Sequence, residues 1–224
     1  MTLENVVDII VEKFRPYSIF LYGSKATKSD NNWSDCEIGV IFEDGKYVSR
    51  KEIVDSINDT NYSIFPFKLS EISNYIIDTP FQKEIYLKSL IDGGAKTLYG
   101  VTVLENLEAP EVTREHLLAD VNFNLGRALA ALKIFKSGNY ELANEFLYKS
   151  CLYATRDYIY YKRKKMYVTY EEMYSAATQL DELSDFKYLL DVSLELRHNH
   201  EMIIDEMFYY KNITYINKFI LNNI

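Results

Sequence analysis

The sequence predicts an α+β chain in which a small mixed β-sheet with interspersed helices precedes an antiparallel helical bundle. Three observations carry that prediction. Short apolar runs at residues 18–22, 37–42 and 62–69 alternate with turn and helix signals, the spacing of strand–helix–strand units. Beyond residue 112 the apolar residues recur at intervals of three and four over long stretches, the period of helices that bury one face. Between the two halves, residues 101–112 contain Pro110 and read as a linker. Residues 1–107 are therefore expected to form one domain and 112–224 a second.

The elements follow in order. Leu3, Val6, Ile10 and Phe14 form a helical stripe over 2–14 that Pro16 ends. Residues 18–22 form an apolar strand, 25–34 a polar loop, and 37–42 a second strand closed by the turn at Glu43, Asp44 and Gly45. Ser49 and Glu52 make a capping box that opens a helix to about residue 58. Residues 62–69 form a third strand, and Pro66 assigns it to a sheet edge or a bulge. Thr79, Pro80 and Gln82 signal another helix start, with Pro80 at its first position. That helix runs through Leu87 and Leu90 to a turn at Asp92, Gly93 and Gly94. In the second half, Leu118, Val121, Leu125, Leu129 and Leu132 form one stripe, broken at Gly138–Asn139. Ala143, Leu147, Cys151, Ala154 and Tyr158 form the next, and Thr169 with Glu172 caps a third helix. Residues 183–196 and 203–221 supply one or two more.

Composition narrows the function. The net charge is −8, which argues against wrapping nucleic acid and favours a small-molecule or protein partner. The dense basic run 162–165 follows a helical stretch, where cations complement the helix C-terminus. Cys36 and Cys151 have neither zinc nor disulfide-framework spacing and are expected to be buried thiols. No signal sequence or long apolar span occurs, so a soluble cytoplasmic protein is expected, with no membrane partner. His198 and His200 are two apart and diverge on a helix, so they cannot share a metal. Walker, GxGxxG, Ser-His-Asp and Cys-His patterns do not occur.

The chemistry concentrates at Gly23–Ser24 and, eleven residues on, at Asp35-Cys36-Glu37. Asp35 and Glu37 are two apart, so on a strand they share a face. Two unpaired carboxylates side by side repel, and a bridging Mg²⁺ shared with substrate phosphates removes that cost. A Gly-Ser turn ending the neighbouring strand can offer N–H groups and a hydroxyl to a phosphate. Together these make a nucleoside-triphosphate and metal site.

The segments Tyr22-Gly23-Ser24 and Ser34-Asp35-Cys36-Glu37 resemble the motif of the polymerase-β-type nucleotidyltransferase superfamily, in particular its kanamycin nucleotidyltransferase-like branch and the minimal nucleotidyltransferases paired with HEPN helical domains. The resemblance extends through 85–100, and more weakly to the Gly138–Ala143 stretch and the helices after it. It implies that Asp35 and Glu37 ligate Mg²⁺, and that Ser24 and the backbone at Gly23 hold the β- and γ-phosphates of ATP as substrate. Gly23 would be needed so that the backbone can come close to the phosphate. Lys25 and Lys28 either add charge to the triphosphate or are solvated loop lysines. The implied reaction moves AMP from Mg-ATP onto a hydroxyl of an aminoglycoside-like small molecule or of a protein. Two-domain relatives often dimerise to complete the cleft, so a homodimer is also implied.

The sequence departs from the family at three points. Phe65 stands where a third acid is expected, and the usual Arg after Gly-Ser is replaced by Lys25 or Lys28. The catalytic Glu of the second domain has Asp120 as its nearest acid, a candidate base or else an exposed helix acid. The Arg-to-His spacing of HEPN ribonucleases is absent. Tyr148, Tyr153, Tyr158, Tyr160 and Tyr161 either line an acceptor pocket, accept AMP or form bundle core. Phe65 also leaves open a degenerate nucleotide-binding or interaction module of a toxin–antitoxin-like or regulatory system, without turnover.

Overall fold

In the computed structural model, which describes residues 1–79 and 81–224, the chain divides into two units, Met1–Glu111 and Val112–Ile224. The first unit opens with helix α1 (Leu3–Phe14), whose first turn is closed by the Thr2 side chain accepting from the Asn5 N–H. Arg15 ends it in the left-handed conformation (φ 46°), and Pro16 cannot continue a helix. Strands β1 (Ser18–Tyr22), β2 (Cys36–Phe42), β3 (Tyr62–Lys68) and β4 (Ala95–Gly100) form one mixed sheet in the order β3-β2-β1-β4. β1 pairs antiparallel with β2 and β4, whereas β2 and β3 are parallel. A parallel pair needs a crossover, which helix α3 (Arg50–Ile57) supplies, opened by the Ser49–Glu52 capping box. Pro66 lies on β3, at the edge of the sheet, where its missing N–H leaves no central ladder broken.

The central strands β1 and β2 are buried on both faces, and alternation sorts their side chains. Ile19, Leu21, Cys36, Ile38, Val40 and Ile64 pack with Val6, Ile10, Ile53 and Ile57 of α1 and α3. Phe20, Tyr22, Ile41 and Phe67 pack on the opposite face with Ile72, Leu87, Leu90 and Leu104. Gly39 lies opposite Phe20 on the neighbouring strand, and a Cβ there would come 2.0 Å from the Phe20 ring. Gly39→Ala is therefore expected to destabilise the unit by about 1–3 kcal/mol through overpacking, read as a lower urea midpoint that Phe20→Leu partly restores.

Two short helices were not anticipated. α2 (Ser24–Thr27) occupies the start of the expected polar loop, and α4 (Leu69–Ser73) follows β3 directly. Helix α5 runs Lys83–Ser89, later than the signal at Thr79, and Pro80 lies outside the described residues. The stretch read as a linker carries a one-turn helix at Leu104–Asn106, and Val103 and Leu104 are buried in the core of the first unit.

The second unit is built on α6 (Arg114–Lys136) and α7 (Tyr140–Arg163), with α8 (Tyr170–Ala177), α9 (Lys187–His198) and α10 (Met207–Thr214) packed around them. The α7 stripe is buried as read: Ala143, Leu147, Cys151, Ala154 and Tyr158 are all in the core. The Cys151 thiol, fully enclosed, is pushed up to about 12 by burial. On α6 the buried face is instead Leu117, Asp120, Val121, Asn124, Ala128 and Ala131, and Leu129 points outward. Of the leucine stripe Val121 is buried and Leu118, Leu125 and Leu132 are half-buried; the face is shifted because Asp120 is met by Arg156 of α7 and Asn124 by Asp120 on α6 itself.

Asp120 is thus not an exposed helix acid. It is 3% exposed, and it accepts from Arg156 Nη2 at 3.0 Å and Asn124 Nδ2 at 3.2 Å. Arg156 also donates to Asp157 Oδ1 from Nε and Nη2. Burial holds the Asp157 carboxyl well above the usual carboxylate range; Arg156 opposes this and the neighbouring Asp120 adds to it. Asp157→Asn keeps the acceptor that meets Arg156 and is expected to change stability by about 1 kcal/mol or less. Asp120→Ala removes a counter-charge from a buried guanidinium and is expected to cost about 3 kcal/mol. Urea midpoints of the two variants check the contrast.

Candidate functional site

β1 delivers Tyr22 to the turn, and Gly23 adopts φ 71°, ψ −154°, a region closed to residues with a Cβ. The chain then turns at once into α2. Thr27 stitches this turn together, its Oγ1 donating toward the Gly23 and Ser24 carbonyls at 3.3 and 3.1 Å. The Gly23 N–H donates to the Gly94 carbonyl at 3.2 Å, which ties the site to the turn before β4.

Tyr22 is the cross-strand partner of Glu37. A Cβ on Gly23 would stand 2.1 Å from Glu37 Oε2. What comes up against this glycine is the Glu37 carboxylate itself. Glu37 is half-buried at the second position of β2, and Asp35 is exposed in the residue before the strand. Cys36 between them points the other way, into the core, where burial pushes its thiol up. The two acids and the Gly-Ser turn therefore gather at one corner of the sheet.

The phenol of Tyr22 is held far above its usual range, first by burial, then by Tyr86, Glu37 and Asp35. It remains a protonated donor beside two carboxylates. Tyr22 meets Tyr86 and Phe65 edge-on with ring centroids 6.4 Å apart, and Phe81 stacks on Tyr86. β3 sets Ser63 opposite Glu37 and Phe65 opposite Gly39. The Arg50 guanidinium lies 4.2 Å over the Phe65 ring and its Nε donates to the Ile64 carbonyl. Among the described residues, no group of three or more His, Cys, Asp and Glu side chains is placed to hold a metal ion. The site offers two carboxylates.

Of the remaining candidates, Lys25 is on α2 and pairs with Asp30 at 3.2 Å, and Lys28 is exposed in the left-handed conformation that ends α2. Asp120 belongs to the second unit, engaged by Arg156. Among the clustered tyrosines, Tyr148, Tyr158 and Tyr160 are buried, and Tyr153 accepts from the Tyr170 hydroxyl at 2.9 Å. Lys162 of the basic run pairs with Glu182 at 3.5 Å. Sequence reasoning missed Tyr22, Tyr86 and Trp33. The signal available for Trp33 was position, since it stands two residues before Asp35.

No protein-family model matches the sequence, and no curated protein does. Among solved structures, a spectinomycin adenyltransferase from Enterococcus faecialis, determined with ATP and spectinomycin, superposes with a TM-score of 0.60 at 14% identity, over 98% of both chains. The chain has a nucleotidyltransferase-like fold. On that fold, Asp35 and Glu37 occupy the β1–β2 corner described above. Among the described residues, no helix is long and apolar enough to cross a membrane.

Proposed function

We propose that the chain is a nucleotidyltransferase that moves AMP from Mg-ATP onto a hydroxyl of a small, aminoglycoside-like molecule or of a protein. The observation that carries this reading is the placement of Asp35 and Glu37 at one corner, with Glu37 against the Gly23–Ser24 turn. The likeness of fold to an adenyltransferase solved with ATP supports it. Two hard oxygen donors on one side of a strand suit Mg²⁺. When bound, the ion supplies positive charge against the triphosphate and the departing pyrophosphate. Asp35 and Glu37 hold it; Ser24 offers its hydroxyl to the phosphates; Lys25, released from Asp30, and Lys28 add charge. The acceptor oxygen bonds to the α-phosphorus and gives its proton to solvent as the bridge to the β-phosphate breaks and pyrophosphate leaves. Asp120, buried and engaged by Arg156, is given no part in this step.

The test is pyrophosphate release from Mg-ATP, GTP, CTP and UTP, with and without a panel of aminoglycosides. Acceptor-dependent release establishes the transferase and its substrate class. An AMP-sized mass gain on the chain without acceptor indicates a protein hydroxyl. Phe65, where a third acid was expected on the strand beside β2, favours a second reading as a nucleotide-binding module. That reading gives binding without release.

A further inference from the structure

Trp33 is the chain's one tryptophan, and it is 52% exposed. Its place is fixed. The Trp33 N–H donates to Asn31 Oδ1 at 3.1 Å, and Ser34 Oγ donates to the same oxygen at 2.8 Å. The Asn31 N–H donates to Ser34 Oγ and the Ser34 N–H returns to the Asn31 carbonyl. The turn is tied to the sheet two residues later, where the Cys36 N–H donates to the Asn61 carbonyl at 2.8 Å. Two residues span at most about 7 Å, so the Trp33 backbone stands within that distance of Asp35. A large aromatic surface, half open to solvent, thus stands on a hydrogen-bonded turn two residues from Asp35.

We propose that Trp33 is the stacking platform for the nucleobase of the triphosphate. This rests on the reading of Asp35 and Glu37 as the triphosphate–metal site. The base is tied through its ribose to the α-phosphate, so it lies one sugar's length beyond that phosphate and near the same corner. Around Trp33 the chain is polar but uncharged, Asn31, Asn32 and Ser34. That environment matches a neutral, flat base; a cationic acceptor is drawn to the carboxylates themselves. Stacking uses the π-face that every base has, so several bases are accepted, with purines favoured for their larger face.

The single tryptophan makes the test direct. Mg-ATP and Mg-GTP are expected to change its fluorescence saturably, Mg-CTP and Mg-UTP more weakly, and Mg-tripolyphosphate, which lacks a base, not at all. By calorimetry, Trp33→Ala is expected to weaken Mg-ATP roughly ten- to a hundredfold. Trp33→Phe should keep most of the affinity, and neither variant should alter tripolyphosphate binding. Equal Mg-ATP affinity in wild type and Trp33→Ala overturns the proposal and leaves the transferase reading standing. If neither Mg-ATP nor Mg-tripolyphosphate binds the wild type, the triphosphate site itself falls, and the proposal with it.

Discussion

Asp35→Asn is expected to lower acceptor-dependent pyrophosphate release by roughly a thousandfold, with Glu37→Gln close behind. A bound metal is worth several kcal/mol of transition-state charge stabilisation, and each 1.36 kcal/mol is tenfold in rate. An amide in place of either carboxylate keeps the shape and removes the negative charge that holds the ion. The fold should survive, because Asp35 is exposed before β2 and Glu37 is half-buried. Relieving the repulsion between the two acids should, if anything, raise the urea midpoint of the metal-free protein slightly. Loss of release with an unchanged midpoint supports the metal role. Release by Asp35→Asn within tenfold of wild type would remove Asp35 from the site.

Gly23→Ala carries the second large effect, and it acts on structure and activity together. At φ 71°, ψ −154° any residue with a Cβ is strained by about 1–3 kcal/mol. The new methyl would also stand 2.1 Å from Glu37 Oε2, so the carboxylate must move off the turn. The urea midpoint should fall with little change in slope, and release should fall as far as in Glu37→Gln. A double-mutant cycle separates the causes. In a Glu37→Ala background the collision is gone and only the backbone strain remains, so Gly23→Ala should cost less there. Equal costs in both backgrounds would mean that the Glu37 contact contributes nothing to the need for glycine.

Much of the first unit was legible because its signals are local. The Ser49–Glu52 box, the left-handed Arg15 before Pro16 and the apolar runs of β1 and β2 each depend on a few adjacent residues. The spacing of Asp35 and Glu37 read both onto a strand; Glu37 lies on β2 and Asp35 in the position just before it. α2 escaped notice because four residues carry no period, and α4 because it starts where a strand pattern ends. On α6, leucines suggested one face while Asp120 and Asn124 occupy the buried one. Hydrophobic periodicity cannot register a polar residue whose burial is compensated by a distant partner.

The sequence by itself determined the order of strands and helices, the Gly-Ser turn and the pair of acids, since all of these are set by neighbours along the chain. Tertiary structure decided what each one touches. Only strand pairing sets Glu37 beside Tyr22 and brings its carboxylate onto Gly23, so that the glycine expected to bring the backbone close to phosphate also makes room for an acid. Only helix packing brings Arg156 onto Asp120 from 36 positions away, so that a residue read as a candidate base or else a surface acid lies in a buried ion pair. In both cases the deciding energy lies between groups remote in sequence: a steric limit at a strand crossing, and a charge that leaves water only where its counter-charge meets it.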